Sequence, residues 1–260
     1  MRNILLTVSY DGTDFCGWQR QDFADKGKPV RTVQGEIEKA LEKLHKQPVK
    51  LVGSGRTDSG VHAFAQAANF FSPIDSIPEE KYVPALNSFL PDDIRIMESK
   101  AVPDDFSARF SATSRTYRYF FHTGLPFASE TRFVWPIFHK PNLETLNKMA
   151  DFLKGEIDCA TFAAAGDQSV STCRYIDDAH FYFDGKNPEI LVFEITANAF
   201  LWRMVRSLAG TFIFFEKNGK SPEYFKQVLD SKDRSKSGPT APPNGLFLYK
   251  ISFDGIRRHV

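Results

Sequence analysis

Apolar residues recur along this chain at two spacings, and the spacings alternate in a repeated order. Ile4, Leu6, Val8 and Tyr10 fall on every second position, the period of a strand with one buried face. Thr32 precedes Val33, Ile37, Leu41 and Leu44, which a helical period brings to one side, so Thr32 is placed as an N-cap. A short strand over residues 50–52 leads into a glycine-rich turn, and residues 63–71 read as extended. Pro78 suits the first turn of a second helix with Tyr82, Leu86 and Phe89 or Leu90 inward. Ile94 and Ile96 open a strand that reaches residue 102. The order is β-α-β-β-α-β.

The same order returns. Tyr117, Tyr119 and Phe121 share one face of a strand, and Asn142 is placed to cap a helix carrying Leu143, Leu146, Ala150 and Leu153. Residues 175–183 and 190–197 alternate as strands around Asp184-Gly185-Lys186-Asn187-Pro188, which has turn chemistry. Residues 200–215 read as a strongly apolar helix, and Ser221-Pro222-Glu223 has the cap, proline and acid of a helix start. Phe247, Tyr249, Ile251 and Phe253 alternate in a last strand. Two such units predict an α+β fold of two ferredoxin-like halves, with a mostly antiparallel sheet and helices packed on it. The halves are expected at 1–105 and 106–260, joined near Pro103 to Ala112. A fold of this kind hosts many activities, so chemistry has to come from particular residues.

Composition narrows the field. Apolar residues make up 42% of 260 residues, with 25 Phe and 8 Tyr, enough for a sizeable core and unlike a disordered chain. The net charge of +1 does not mark a nucleic-acid binder, so any RNA surface has to be a local basic patch. Cys16, Cys159 and Cys173 are odd in number and widely spaced, and neither a CxxC pair nor an HExxH helix occurs. Neither a disulfide framework nor a zinc site is therefore expected. No apolar run suits a signal peptide or a membrane span, which predicts a cytoplasmic protein.

The most informative stretch is Gly53-Ser54-Gly55-Arg56-Thr57-Asp58-Ser59-Gly60. A dinucleotide fingerprint would need glycine at Asp58 and a helix after it; here an acid is followed by a strand. A P-loop would need Lys and Ser or Thr after the last glycine, where Val61-His62 stand. What remains is a loop that holds a cation, Arg56, and a carboxylate, Asp58, two residues apart and facing the same way if extended. Taken alone, it reads more readily as a solvated surface turn than as a site.

Gly55-Arg56-Thr57-Asp58-Ser59-Gly60-Val61-His62 resembles the signature of the TruA family of tRNA pseudouridine synthases. Further blocks resemble that family in order: Tyr10-Asp11-Gly12 with Gly17-Trp18-Gln19, then Leu86 to Ile94, and Asp105 to Ala112. Tyr117-Arg118-Tyr119, Asn198-Ala199-Phe200-Leu201 with Met204-Val205-Arg206, and Thr240-Ala241-Pro242-Pro243 with Gly245-Leu246 complete the set. The likeness spans essentially the whole chain. Two places depart from it: Trp202 and Arg203 stand where relatives often carry Arg, His or Asn, and Cys159 stands where an aromatic is usual.

The resemblance implies the pseudouridine synthase fold and isomerisation of uridine at tRNA positions 38, 39 and 40, without metal or cofactor. It implies a homodimer whose deep basic cleft takes the anticodon arm. It makes Asp58 the essential carboxylate, acting as nucleophile or as base. Arg206 is implied as its cationic partner and Tyr117 as the ring under the flipped base, though the alternation by itself favours plain core packing for Tyr117. Arg56 is a candidate for displacing the base or holding a phosphate. Arg109, Arg115 and Arg118 form a candidate phosphate-binding cluster, and His62 is expected to orient its loop. Two rival classes remain beside this one: an RNA-recognition module without turnover, and a glycoside-type hydrolase, which would need a second carboxylate.

Overall fold

The computed structural model describes residues 1–21 and 30–258. The elements are β1 (Arg2–Tyr10), α1 (Val33–His45), β2 (Val52–Gly53), β3 (His62–Ser72), α2 (Tyr82–Asn87), β4 (Ile94–Val102), β5 (Ser114–His122), β6 (Trp135–Pro136), α3 (Leu143–Asp151), β7 (Gly155–Asp158), β8 (Cys173–Phe183), β9 (Ile190–Ala197), α4 (Met204–Lys217), α5 (Pro222–Asp230) and β10 (Leu246–Ser252). They group into two compact units, Met1–Ala112 with Phe247–Gly255, and Thr113–Leu246 with the residues from Ile256 onward.

In the first unit β1 lies between β3 and β4, antiparallel to both, with Ile4 opposite Phe70 on one side and Ala101 on the other. The two-residue β2 pairs with β3, which completes the strand order of a ferredoxin-like half. Ile4, Leu6, Val8 and Tyr10 are all buried, as are Val33, Ile37 and Leu41 of α1. Thr32 caps α1 by accepting the Gly35 N–H. The second helix is shorter than the pattern around Pro78 predicts. A 3₁₀ turn over Glu79–Lys81 precedes six residues of α2, which include Pro84. The join at 103–112 is part of the packing. Ala108 is buried with Leu5 and Ala67, and Phe106, Ile251 and Phe253 pack against them. A buried Asn3–Asn69 pair holds this segment: Asn3 donates to the carbonyls of Pro103 and Phe106, both at 2.9 Å, and Asn69 Oδ1 accepts the Ala108 N–H at 2.8 Å. β10 runs parallel to β3, with Phe247 opposite His62.

In the second unit β5, β9, β8 and β7 form an antiparallel run in that order. Tyr119 and Phe121 point into a core built from rings: Phe181 on Phe193 (4.6 Å), Phe193 on Phe212 (5.3 Å) and Phe212 on Phe225 (4.8 Å). Asn142 and Ser221 cap α3 and α5 as their sequences predict. The apolar helix begins at Met204, not at residue 200, because Arg203 adopts φ 58°, which no α-helix accommodates.

Candidate active site

The Asp58 loop is held by segments distant in sequence. At its entry the Ser54 N–H donates to Ala67 O (2.8 Å), and Ser54 Oγ to Gln66 Oε1 (2.6 Å). At its centre the Thr57 carbonyl accepts the Trp18 N–H (3.2 Å), and the Thr57 hydroxyl meets the Tyr10 hydroxyl (2.8 Å). At its exit Ser59 Oγ donates to Phe15 O (3.0 Å), and the buried His62 accepts the Gly12 N–H at Nδ1 (3.0 Å) while stacking on Phe247. His62 thus ties the exit of the loop to Gly12 and Phe247.

Two glycines make the close approach possible. A Cβ on Gly12 would lie 2.0 Å from Val61 O. Gly17 has φ +89°, and a Cβ there would lie 2.6 Å from Thr57 O. The blocks Tyr10-Asp11-Gly12 and Gly17-Trp18 thereby pack directly against the Asp58 loop. Within the loop Thr57 is buried, Asp58 is half-buried and Arg56 is exposed, with Arg56 Nε donating to Gln19 Oε1 at 3.3 Å.

Tyr117 and Arg206 lie in the second unit. Tyr117 shares a face of β5 with Tyr119 and Phe121 but is half-buried where they are fully buried, and it meets the Phe200 ring edge-on at 5.1 Å. Arg206 stands in the first turn of α4. Its Nε donates to Ala241 O (2.9 Å) while its own carbonyl accepts the Ala241 N–H (3.0 Å). The next residue in that segment, Pro242, accepts the Tyr119 hydroxyl at 2.7 Å. Burial pushes the Tyr119 phenol well above its ordinary value, opposed by the charge of Arg206. The strap over 238–242 therefore places the Arg206 side chain, a role that only the resemblance of its proline-rich block could have signalled.

The three arginines of the candidate basic cluster each make a local contact. Arg118 Nε is paired with Glu194 at 2.5 Å across β5 and β9, Arg115 Nη1 donates to Asn198 O at 2.7 Å, and the Arg109 guanidinium lies over the Phe110 ring. Burial lowers the pKa of Arg115 from its ordinary value. The departing residues have local explanations. Arg203 lies over the Trp202 ring at 4.6 Å, and the Trp202 N–H is held by Asp167. Cys159 is fully buried, which pushes its thiol up to about 12.

The fold is one of two ferredoxin-like units, the first carrying Asp58 on a braced loop, and comparison with known proteins gives the class. The family described as tRNA pseudouridine synthase matches residues 6–111 and 149–254, and the chain belongs to it. Asp58, Arg56 and Arg206 fall inside the matched ranges; Tyr117 does not. Among curated relatives, tRNA pseudouridine synthase A of Treponema denticola is 53% identical over 253 residues, covering 97% of this chain and 93% of its own. The protein of that name from Treponema pallidum is 50% identical over 240 residues, with 92% and 84% covered. The one from Caldicellulosiruptor saccharolyticus is 41% identical over 255 residues, with 97% and 100% covered. The chain is accordingly an isomerase that converts uridine to pseudouridine in tRNA.

Proposed function

We propose that the chain acts at positions 38, 39 and 40 of the tRNA anticodon stem-loop, with Asp58 as the reacting carboxylate. The bond from ribose C1′ to uracil N1 breaks, C1′ bonds to C5, the C5 hydrogen leaves as a proton, and N1 gains one. Atoms and electrons balance with no redox step. Asp58 acts as nucleophile or as base, Arg206 supplies positive charge to the reaction, Tyr117 stacks the extruded uracil, and Arg56 holds the RNA. The observation that carries this reading is the bracing of the Asp58 loop from Tyr10, Gly12, Phe15 and Trp18, which gives a half-buried carboxylate a defined mounting. A half-exposed ring at Tyr117, next to two buried ones on the same strand face, supports its stacking role.

Carbodiimide mapping of pseudouridine in tRNA from cells that lack the native enzyme tests the assignment. Adducts are expected at 38–40 on complementation with the wild-type chain and none with Asp58→Ala. Modification only outside that stem-loop would overturn the position assignment.

The proposed working form is a cytoplasmic homodimer. Among the described residues no helix is long and apolar enough to cross a membrane. Leu125, Phe127 and Phe138 are 83%, 79% and 66% exposed in one segment of the second unit, a candidate surface for a second copy. Sedimentation of the wild type against Leu125→Ser/Phe127→Ser is expected to show dimer and monomer, respectively.

A further inference from the structure

Arg56 is the exposed cation of the Asp58 loop, and a long side chain on a surface loop ordinarily samples many rotamers. Its Nε donates to Gln19 Oε1 at 3.3 Å. One such bond would hold little if the Gln19 amide could turn over. The other end of that amide is committed, because Gln19 Nε2 donates to Gln34 Oε1 at 2.7 Å. Gln34 is only 8% exposed, and its own amide is fully used. Its Oε1 also accepts the Arg20 N–H at 3.0 Å, and its Nε2 donates to Glu38 Oε1 at 3.0 Å and to Leu51 O at 3.1 Å. An amide has two donors and two acceptor sites, so one orientation alone satisfies this set. Glu38 completes the assembly by accepting the Leu51 N–H at 3.2 Å and pairing with Arg20 Nη1 at 2.9 Å.

We infer that Gln34 and Gln19 are positioning residues for the isomerisation: the buried Gln34 amide orients Gln19, and Gln19 orients the Arg56 guanidinium. With Nε tied back, the guanidinium keeps its two Nη groups for the RNA, the edge whose planar fork matches a phosphate. The relay also explains a buried polar residue on the inner face of α1, where a leucine would pack without the cost of burying an amide. The inference rests on the proposed role of Arg56 in holding RNA.

The test is kcat/KM for tRNA in a cycle of wild type, Gln34→Met, Arg56→Ala and the double variant. Gln34→Met is expected to lower kcat/KM roughly tenfold in the wild type and by less than about twofold when Arg56 is already alanine. Gln19→Met, at a half-buried loop position, is expected to behave the same way, so the cycle survives if Gln34→Met fails to fold. Equal losses in both backgrounds, with Arg56→Ala itself impaired, would make the glutamines structural and overturn the relay alone. An unimpaired Arg56→Ala would overturn the relay together with the role of Arg56.

Discussion

The backbone around Asp58 and the side chain of Arg206 are each held by a neighbouring chain segment, but in opposite ways. Around Asp58 the close approach is made by residues without side chains, Gly12 and Gly17, and the loop is located by contacts of the residues flanking Asp58, among them Thr57 and Ser59. Around Arg206 the guanidinium makes the contact itself, giving its Nε to Ala241 O. The first arrangement fixes where the carboxylate is mounted and leaves the bracing to other residues. The second commits one edge of the guanidinium to its own placement. A residue mounted by its neighbours is sensitive to their size; a residue that anchors itself is sensitive to its own shape.

Substitutions can break this contrast at several strengths. The largest effect is expected at Arg206. Arg206→Met removes both the charge and the anchor, and single-turnover rates should fall by about 10²–10³ with tRNA affinity largely kept. Next is Gly17→Ala, which forces a Cβ toward Thr57 O and shifts the loop. A displacement of about 1 Å costs on the order of 10²-fold in rate, measurable as kcat, and alanine held at φ +89° also lowers the thermal midpoint. Gly210→Ala sharpens the comparison from the other unit. A Cβ there would lie 1.8 Å from Pro239 O, against the strap that holds Arg206. Overpacking of this kind costs about 1–3 kcal/mol, so its thermal midpoint should fall more than that of Gly17→Ala and its kcat less. Tyr117→Ala is expected to raise KM about tenfold and Tyr117→Phe to leave it unchanged, since a stacking ring needs no hydroxyl.

The smallest effect lies away from both regions. His45 closes α1 between the rings of Phe70 and Tyr82, and neither ring nitrogen has a hydrogen-bond partner among the described residues. Burial lowers its pKa from the ordinary value. The unfolded chain therefore takes up a proton at a higher pH than the folded one. The stability this imidazole allows is present above about pH 6.5, the unfolded value, and is lost as the pH falls through that value toward the lower folded one. His45→Leu should flatten the decline in urea midpoint between about pH 7 and 5.

Local rules made much of the fold legible. The alternation of Ile4 to Tyr10 and the caps Thr32, Asn142 and Ser221 depend on residues a few positions apart, and all four features stand in the structure. The start of α4 was not legible, because nothing in the residue type of Arg203 signals a left-handed backbone. The four-residue β7 and two-residue β6 are too short to show a period. Alternation also identifies β10 as a strand without naming its neighbour, and its parallel register with His62 and Ala63 joins residues far apart in sequence. The site divides the same way. Arg56 and Asp58 were visible through one continuous block. The pairing of Arg118 with Glu194 and the Gln19–Gln34 relay both join positions that no local pattern connects.

The central claim is that Asp58 performs the chemistry of isomerisation, and tritium release from tRNA labelled at uracil C5 measures it directly. That hydrogen leaves only when C5 has become the carbon bonded to ribose. The wild type should release tritium in step with pseudouridine formation, and Asp58→Ala should release none while binding tRNA within about threefold of the wild-type affinity. Release by Asp58→Ala at the wild-type rate would contradict the account.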